Sequence, residues 1–230
     1  MLQIQVWGDS VFKGVIFDKA RGRYALLRDS AVTLLSAWLK TPIENQSRMG
    51  RTAPEGLKAL KAQPAEGLKN RIVVLEYGGN DCDFDWKAVS DAPEEEHGPH
   101  TSAEQFVESM IKMVEYVRDC GGKPLLSTLP PLNCEKYLNW ITRDGLSRER
   151  ILRFLGAPER IYRYQEYYSS LILRISATMG CGCLPVREAF LEQMRGEEML
   201  CEDGIHPNEA GHRLIARTAL DYAKNAPVLA

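Results

Sequence analysis

Residues 72–81 read Ile72-Val73-Val74-Leu75-Glu76-Tyr77-Gly78-Gly79-Asn80-Asp81. The run Ile72–Leu75 is apolar without alternation. A strand with one wet face would alternate, so an unbroken run predicts a parallel strand covered on both faces. Gly78-Gly79-Asn80-Asp81 ends it, delivering polar side chains at the carboxyl end of a buried strand.

The flanking sequence repeats the pattern. Leu2-Gln3-Ile4-Gln5-Val6 alternates and breaks at Gly8, Ile43 to Ser47 predicts a second strand before Gly50, Lys123 to Leu129 a buried strand stopped by Pro130-Pro131, and Leu184 to Val186 a short last strand. Helical spacing lies between them. Asp29 or Ser30 opens a helix over 28–40 that Pro42 stops, Thr52-Ala53-Pro54-Glu55 reads as a cap and first turn, and Thr101-Ser102-Ala103-Glu104 opens a helix running to Gly121-Gly122. Residues 83–100 read as a polar, acidic loop, 133–179 as helix-rich, and Ala210, Leu214, Ile215, Thr218 and Leu220 give a closing amphipathic helix after Pro207. Strands alternating with helices predict an α/β fold whose parallel sheet binds ligands beyond its carboxyl edge. No repeat or linker divides the chain, so residues 1–230 are read as one domain.

Composition narrows the class. The 230 residues are 44% hydrophobic and 26% charged, with 29 basic against 31 acidic side chains and a net charge of -2. Nucleic acid is not expected as a partner, since phosphate binding needs a basic patch. No apolar run reaches the ~18 residues of a membrane span, and the first residues carry no basic and apolar leader pattern, so a cytoplasmic protein is expected. In that compartment the six cysteines are expected as thiols. Cys181-Gly182-Cys183 is one residue short of the spacing of zinc and redox motifs.

Two short stretches carry chemistry. Gly8-Asp9-Ser10 follows the first strand and Asp203-Gly204-Ile205-His206-Pro207 precedes the last helix. A serine hydroxyl needs an imidazole to take its proton and a carboxylate to fix the imidazole's tautomer. With a spacing of three, one turn brings the Asp203 carboxylate to Nδ1 of His206 and leaves Nε2 free for a serine elsewhere. Acyl transfer also needs donors for the developing oxyanion, and Asn80 and Gly50, each near a strand end, are the candidates.

In order along the chain, Gly8-Asp9-Ser10, Gly50, Gly78-Gly79-Asn80-Asp81 and Asp203-Gly204-Ile205-His206-Pro207 resemble the conserved blocks of the SGNH or GDSL hydrolase superfamily. The resemblance spans nearly the whole chain. It implies a flavodoxin-like three-layer α/β/α sandwich with a five-stranded parallel sheet, and an esterase reaction on a small-molecule ester without metal or other cofactor. By that similarity Ser10 is the nucleophile, His206 the base and Asp203 its partner. Ser10 N–H, Gly50 N–H and the Asn80 side chain would form the oxyanion hole, with Gly56 as the substitute for Gly50. The expected substrate is a short-acyl or O-acetyl ester; a lysophospholipase, thioesterase or acyltransferase using the same serine is the alternative, and a catalytically silent binding protein a third reading. The α/β-hydrolase scaffold fits less well, because Phe12 stands where its Gly-x-Ser-x-Gly elbow needs the second glycine.

Other polar clusters read more plainly. Asp81-Cys82-Asp83-Phe84-Asp85 starts like a calcium loop, but Trp86 occupies the turn-glycine position and Ala92 the twelfth. Asp81 is expected to orient Asn80 or cap the next element, and Asp83 and Trp86 to border the cleft. His97 and His100 read as loop residues and His212 as a packing residue. Residues of about 133–165 read as a helical cap over the cleft or as core; Tyr137 and Trp140 are the candidates to meet substrate, and the later tyrosines are expected to pack.

Overall fold

The computed structural model describes residues 3–225, so Leu2 of the predicted first strand lies outside the described residues. In chain order the elements are β1 (Ile4–Gly8), α1 (Ser10–Lys13), β2 (Val15–Asp18), β3 (Arg23–Leu26), α2 (Ala31–Leu39), β4 (Ile43–Asn45), α3 (Ala53–Lys61), β5 (Ile72–Glu76), α4 (Trp86–Asp91), α5 (Ala103–Asp119), β6 (Lys123–Ser127), α6 (Cys134–Thr142), α7 (Arg148–Leu155), α8 (Glu159–Met179), β7 (Gly182–Leu184), α9 (Val186–Leu191) and α10 (Glu209–Asn225).

Five strands form one sheet in the order β4-β1-β5-β6-β7, and every pairing is parallel. The apolar run of β5 explains the layering. Successive side chains of a strand point to opposite faces, so Ile72 and Val74 join Ile4, Val6 and Leu125 under α2 and α10, while Val73 and Leu75 join Leu126 under α3, α5 and α8. Slipping the strand by one residue would exchange the two sets, so burial on both faces fixes its register. That register sets Ile4 beside Ile72 and Gly8 beside Glu76, which brings the carboxyl ends of β1 and β5 level. A third apolar cluster joins Phe84, Trp86 and Val89 to Tyr137, Leu138, Ile151 and Ile161 beyond that edge.

Local chemistry sets the helix starts. Ser30 caps α2, and Thr52 with Glu55 forms a capping box on α3 with Pro54 in its first turn. The α5 cap stands at Ser102 instead of Thr101, since Ser102 Oγ accepts the Gln105 N–H.

Four expectations are corrected. Residues 83–100 contain α4, nucleated where Asp85 accepts the Ala88 N–H at 3.0 Å; six residues are too few to show a stripe. The last strand is Gly182–Leu184 instead of 184–186, because Pro185 has no N–H to give the ladder and Val186 opens α9. The buried face of α10 is Gly211, His212, Ile215, Ala216 and Ala219, while Ala210 is exposed. A Cβ at Gly211 would come within 2.8 Å of Pro207 Cβ, so the missing side chain lets the helix approach closely. Finally, β2 and β3 form an antiparallel hairpin that the reading of the strands did not include.

Candidate active site

The site is assembled at the level edge of β1 and β5. Asp9, directly after β1, accepts the Val11 N–H at 2.9 Å and so caps α1, which makes Ser10 its first residue. Far along the chain, Asp203 Oδ1 accepts the N–H groups of Ile205 and His206, both at 3.1 Å, folding 203–206 into a tight turn. Gly204 takes φ +76 within it. The turn sets His206 Nδ1 2.6 Å from Asp203 Oδ2 and leaves Nε2 pointing away, 2.9 Å from Ser10 Oγ.

All three side chains are buried, Asp203 completely. Burial alone would raise the Asp203 pKa. The His206 hydrogen bond and charge, with the two backbone N–H groups, outweigh it and hold the carboxyl below its ordinary value. A carboxylate facing Nδ1 fixes the tautomer with Nε2 free to accept the serine proton.

Asn80 lies in the same cavity as Ser10 and His206. Its Nδ2 donates to Asp9 Oδ2 at 3.1 Å and to the Arg51 carbonyl at 3.3 Å. Asp9 therefore holds Asn80, and Asp81, expected to orient Asn80 or cap the next element, does neither: Asp85 caps the next helix, and Asp81 turns back to the start of α3. Both its oxygens accept the Ala53 N–H at the start of α3, and burial raises its pKa to about 6 against those hydrogen bonds.

The two glycines expected as alternatives separate by their surroundings. Gly56 N–H donates to the Thr52 carbonyl inside α3, and a Cβ there would strike the Tyr77 ring, so Gly56 serves helix packing. Gly50 stands at φ +75 in the turn after β4, with open space where a Cβ would be. It does not line the cavity, but its neighbour Arg51 accepts from Asn80, so the turn borders the site.

The cavity has a volume of about 80 Å³ and extends from Ser10 over an apolar wall. Asp83, Trp86 and Tyr137 line it as expected, tied together: Asp83 accepts Trp86 Nε1 at 2.9 Å and the Tyr137 hydroxyl at 2.6 Å. Burial raises the Asp83 pKa against those donors. Trp140 does not line the cavity. Its ring packs on Phe17 of the hairpin, centroids 4.4 Å apart, and the Arg143 guanidinium lies over the same ring, 3.5 Å from its centroid.

Several residues at the site had no signal in the reading. Tyr164, taken with the later tyrosines as packing, lines the cavity together with Ile161 and Gln165 from the same helix and Leu129 and Pro130 after β6. Tyr24 of β3 stacks edge-on against His206, and burial with the nearby Asp203 charge raises its pKa. Gly22, at φ +61 in the turn between β2 and β3, is the signal that marks the hairpin. His97 is held by the Ala92 carbonyl at 2.8 Å and packs on Phe154, and His100 N–H donates to the Asp83 carbonyl. His212 is fully buried and its Nδ1 accepts the Ala31 N–H at 3.3 Å. All six cysteines are free thiols. Among the described residues no helix is long and apolar enough to cross a membrane.

A model of the GDSL-like lipase/acylhydrolase family matches residues 6–214. No curated protein sequence matches the chain. Among solved structures, the alpha/beta hydrolase LAE5 from the metagenome of Lake Arreo, Spain, is similar at 22% identity and TM-score 0.68, over 100% of this chain and 96% of that one. A lipase/acylhydrolase from Enterococcus faecalis is similar at 18% identity and TM-score 0.66, over 97% and 96%. The acetylxylan esterase Axe2 from Geobacillus stearothermophilus is similar at 17% identity and TM-score 0.65, over 96% and 93%. At these identities the likeness is one of fold.

Proposed function

The chain belongs to the GDSL-like lipase/acylhydrolase family, and from that premise we propose a serine esterase that cleaves short-acyl or O-acetyl esters through Ser10, His206 and Asp203. The observation that carries the reading is the unbroken relay of 2.9 Å from Ser10 Oγ to His206 Nε2 and 2.6 Å from Nδ1 to Asp203.

Ser10 Oγ attacks the ester carbonyl as its proton passes to His206 Nε2, and Asp203 stabilises the imidazolium so formed. The carbonyl oxygen becomes an oxyanion held by the Ser10 N–H, which at the first position of α1 has no carbonyl within the helix to bind. Asn80 Nδ2 is the second donor once one hydrogen turns from the Arg51 carbonyl, the other staying on Asp9, and the Gly50 N–H, in the turn that borders the site, is the third. Collapse of the tetrahedral intermediate breaks the bond to the alcohol, which leaves with the His206 proton. Water then repeats the sequence on the acyl-enzyme and releases the acid.

The cavity argues for a short acyl group. At about 80 Å³ it matches an acetyl or similarly small group. Residues of about 133–165 act as a helical cap in this reading, since Tyr137, Ile161 and Tyr164 come from that segment.

The test is a series of p-nitrophenyl esters from acetate to palmitate with wild type and Ser10→Ala. Hydrolysis of the shortest esters, lost in Ser10→Ala, is expected together with labelling of Ser10 by a fluorophosphonate. A preference for palmitate would point to the lysophospholipase or thioesterase reading, and unchanged turnover in Ser10→Ala would remove the serine mechanism.

A further inference from the structure

Three carboxyls line the cavity that holds Ser10, those of Asp9, Glu76 and Asp83, and among the described residues no lysine or arginine lines it. Asp9 is committed within the fold, Oδ1 to the Val11 N–H and Oδ2 to Asn80 Nδ2. Glu76 is 1% exposed; its Oε2 accepts the Asp9 N–H at 3.3 Å, and its buried Oε1 has no partner.

Asp83 stands differently. Each of its oxygens accepts one neutral donor, Trp86 Nε1 at 2.9 Å and the Tyr137 hydroxyl at 2.6 Å. A carboxylate oxygen has two lone pairs, so each keeps an acceptor site. Asp83 is half-buried and lines the cavity, where those sites can be reached. A carboxylate drawn away from water is normally matched by an opposite charge. His100 is a base whose charge reaches Asp83, but it does not line the cavity. On the cavity side the counter-charge is missing.

The walls suit an organic cation. The rings of Phe84, Trp86, Tyr137 and Tyr164 line the same cavity, and aromatic rings attract a cation through their quadrupole. A metal ion would need several ligands at once, and among the described residues no three metal-ligating side chains stand together. A volume of about 80 Å³ holds about six water-sized groups. That is room for a carbonyl, two methylenes and an ammonium.

We propose that Asp83 selects the substrate by charge: the acyl half of the ester carries an ammonium group that seats on the free acceptor sites of Asp83, and the unpartnered Oε1 of Glu76 adds a second negative acceptor in the same cavity. The inference rests on the reading that the acyl group enters this cavity beside Ser10. A neutral acyl group leaves Asp83 unmatched, and an anionic one is repelled by the carboxyls around it.

The experiment uses the full chain and separates binding from turnover. For binding, β-alanine N-ethylamide is compared by NMR titration with N-ethylbutyramide, its neutral isostere, and with the N-ethylamide of β-hydroxypropionic acid. Amides resist cleavage, so wild type can be used. The cationic amide is expected to bind about tenfold more tightly than either neutral one. Asp83→Asn keeps an acceptor for Trp86 Nε1 and an amide against the Tyr137 hydroxyl while removing the charge, and is expected to bring the three within about twofold.

For turnover, β-alanine ethyl ester, ethyl butyrate and monoethyl malonate are compared by pH-stat. The kcat/KM ratio of the cationic to the neutral ester is expected to fall about tenfold in Asp83→Asn, the inherent reactivity of the esters cancelling between the two enzymes; monoethyl malonate is expected to be the poorest substrate of wild type. A cationic amide that binds no better than the butyramide, a hydroxyl amide that binds as tightly as the cationic one, or a preference unchanged in Asp83→Asn overturns the proposal. The ranking in wild type decides even if Asp83→Asn does not fold. Hydrolysis surviving in Ser10→Ala would instead overturn the parent reading, and the amide titration would still decide this one.

Discussion

Tyr24 and His206 pack edge to face with ring centroids 5.1 Å apart, and burial with the nearby Asp203 charge raises the Tyr24 pKa, so one residue of the hairpin stands against both partners of the relay. Trp140 stands behind it, 6.1 Å from the Tyr24 ring. Tyr24→Phe removes only the hydroxyl, keeps the ring against His206 and is expected to retain most of kcat/KM. Tyr24→Ala also removes the ring against His206 and is expected to lose more, chiefly in kcat. Steady-state kinetics on a short ester check this; a Tyr24→Ala enzyme with wild-type kcat would show that His206 needs no brace.

The relay should fail as a unit. Asp203→Asn leaves the wrong tautomer on His206 and is expected to lower kcat by about 10⁴. Ser10→Ala and the Ser10→Ala/His206→Ala double variant should be equally impaired, because neither residue acts without the other. A clear further loss in the double variant would mean that His206 serves a step independent of Ser10.

His212 carries a pH dependence of stability. Burial pushes its pKa down from 6.5 to about 4, and its Nδ1 accepts the Ala31 N–H as a neutral ring. The unfolded chain therefore takes up the proton first as pH falls. Stability from this group is full above 6.5 and is lost as pH drops towards 4, by up to about 3 kcal/mol. His212→Asn keeps an acceptor for Ala31 without the titration. Urea unfolding at pH 7 and pH 4.5 should show a smaller loss in that variant than in wild type.

Gly204 and Gly50 have nearly the same positive φ, +76 and +75, but different surroundings. A Cβ at Gly204 would lie 2.7 Å from the Asn133 carbonyl and 2.8 Å from the Tyr137 nitrogen, whereas one at Gly50 meets nothing. Gly50→Ala is expected to cost only the backbone term of about 1–2 kcal/mol. Gly204→Ala should cost more and lower kcat by displacing the Asp203–His206 turn. Thermal melts of the two variants side by side test the ranking.

The acyl preference should follow the cavity wall. Ile161→Ala removes a buried side chain that lines it, at a cost of about 2–5 kcal/mol in stability. The best p-nitrophenyl ester is expected to shift from acetate towards butyrate or longer. An unchanged chain-length profile in a folded variant would place the acyl group elsewhere.

Much of this could be read from local sequence. The unbroken apolar run at 72–75 announced a strand buried on both faces, and the sheet splits Ile72 and Val74 from Val73 and Leu75 accordingly. Asp203 and His206 needed only one turn to meet, so their spacing carried their contact. Harder to read were β2, β3 and α4, which are too short for periodicity to mark, and the burial of α10, which Gly211 and the Met199 carbonyl rotate away from the most apolar face.

By itself, then, the sequence determined the parallel layering and the three groups of the relay, because strand alternation, capping and a one-turn spacing act between near neighbours. The tertiary structure alone decided that Tyr24 faces His206, that Asp9 and not Asp81 holds Asn80, and that Tyr164 rather than Trp140 lines the cavity. Those contacts join residues far apart in the chain, and the strand register that levels Gly8 with Glu76 is what brings their elements to one edge.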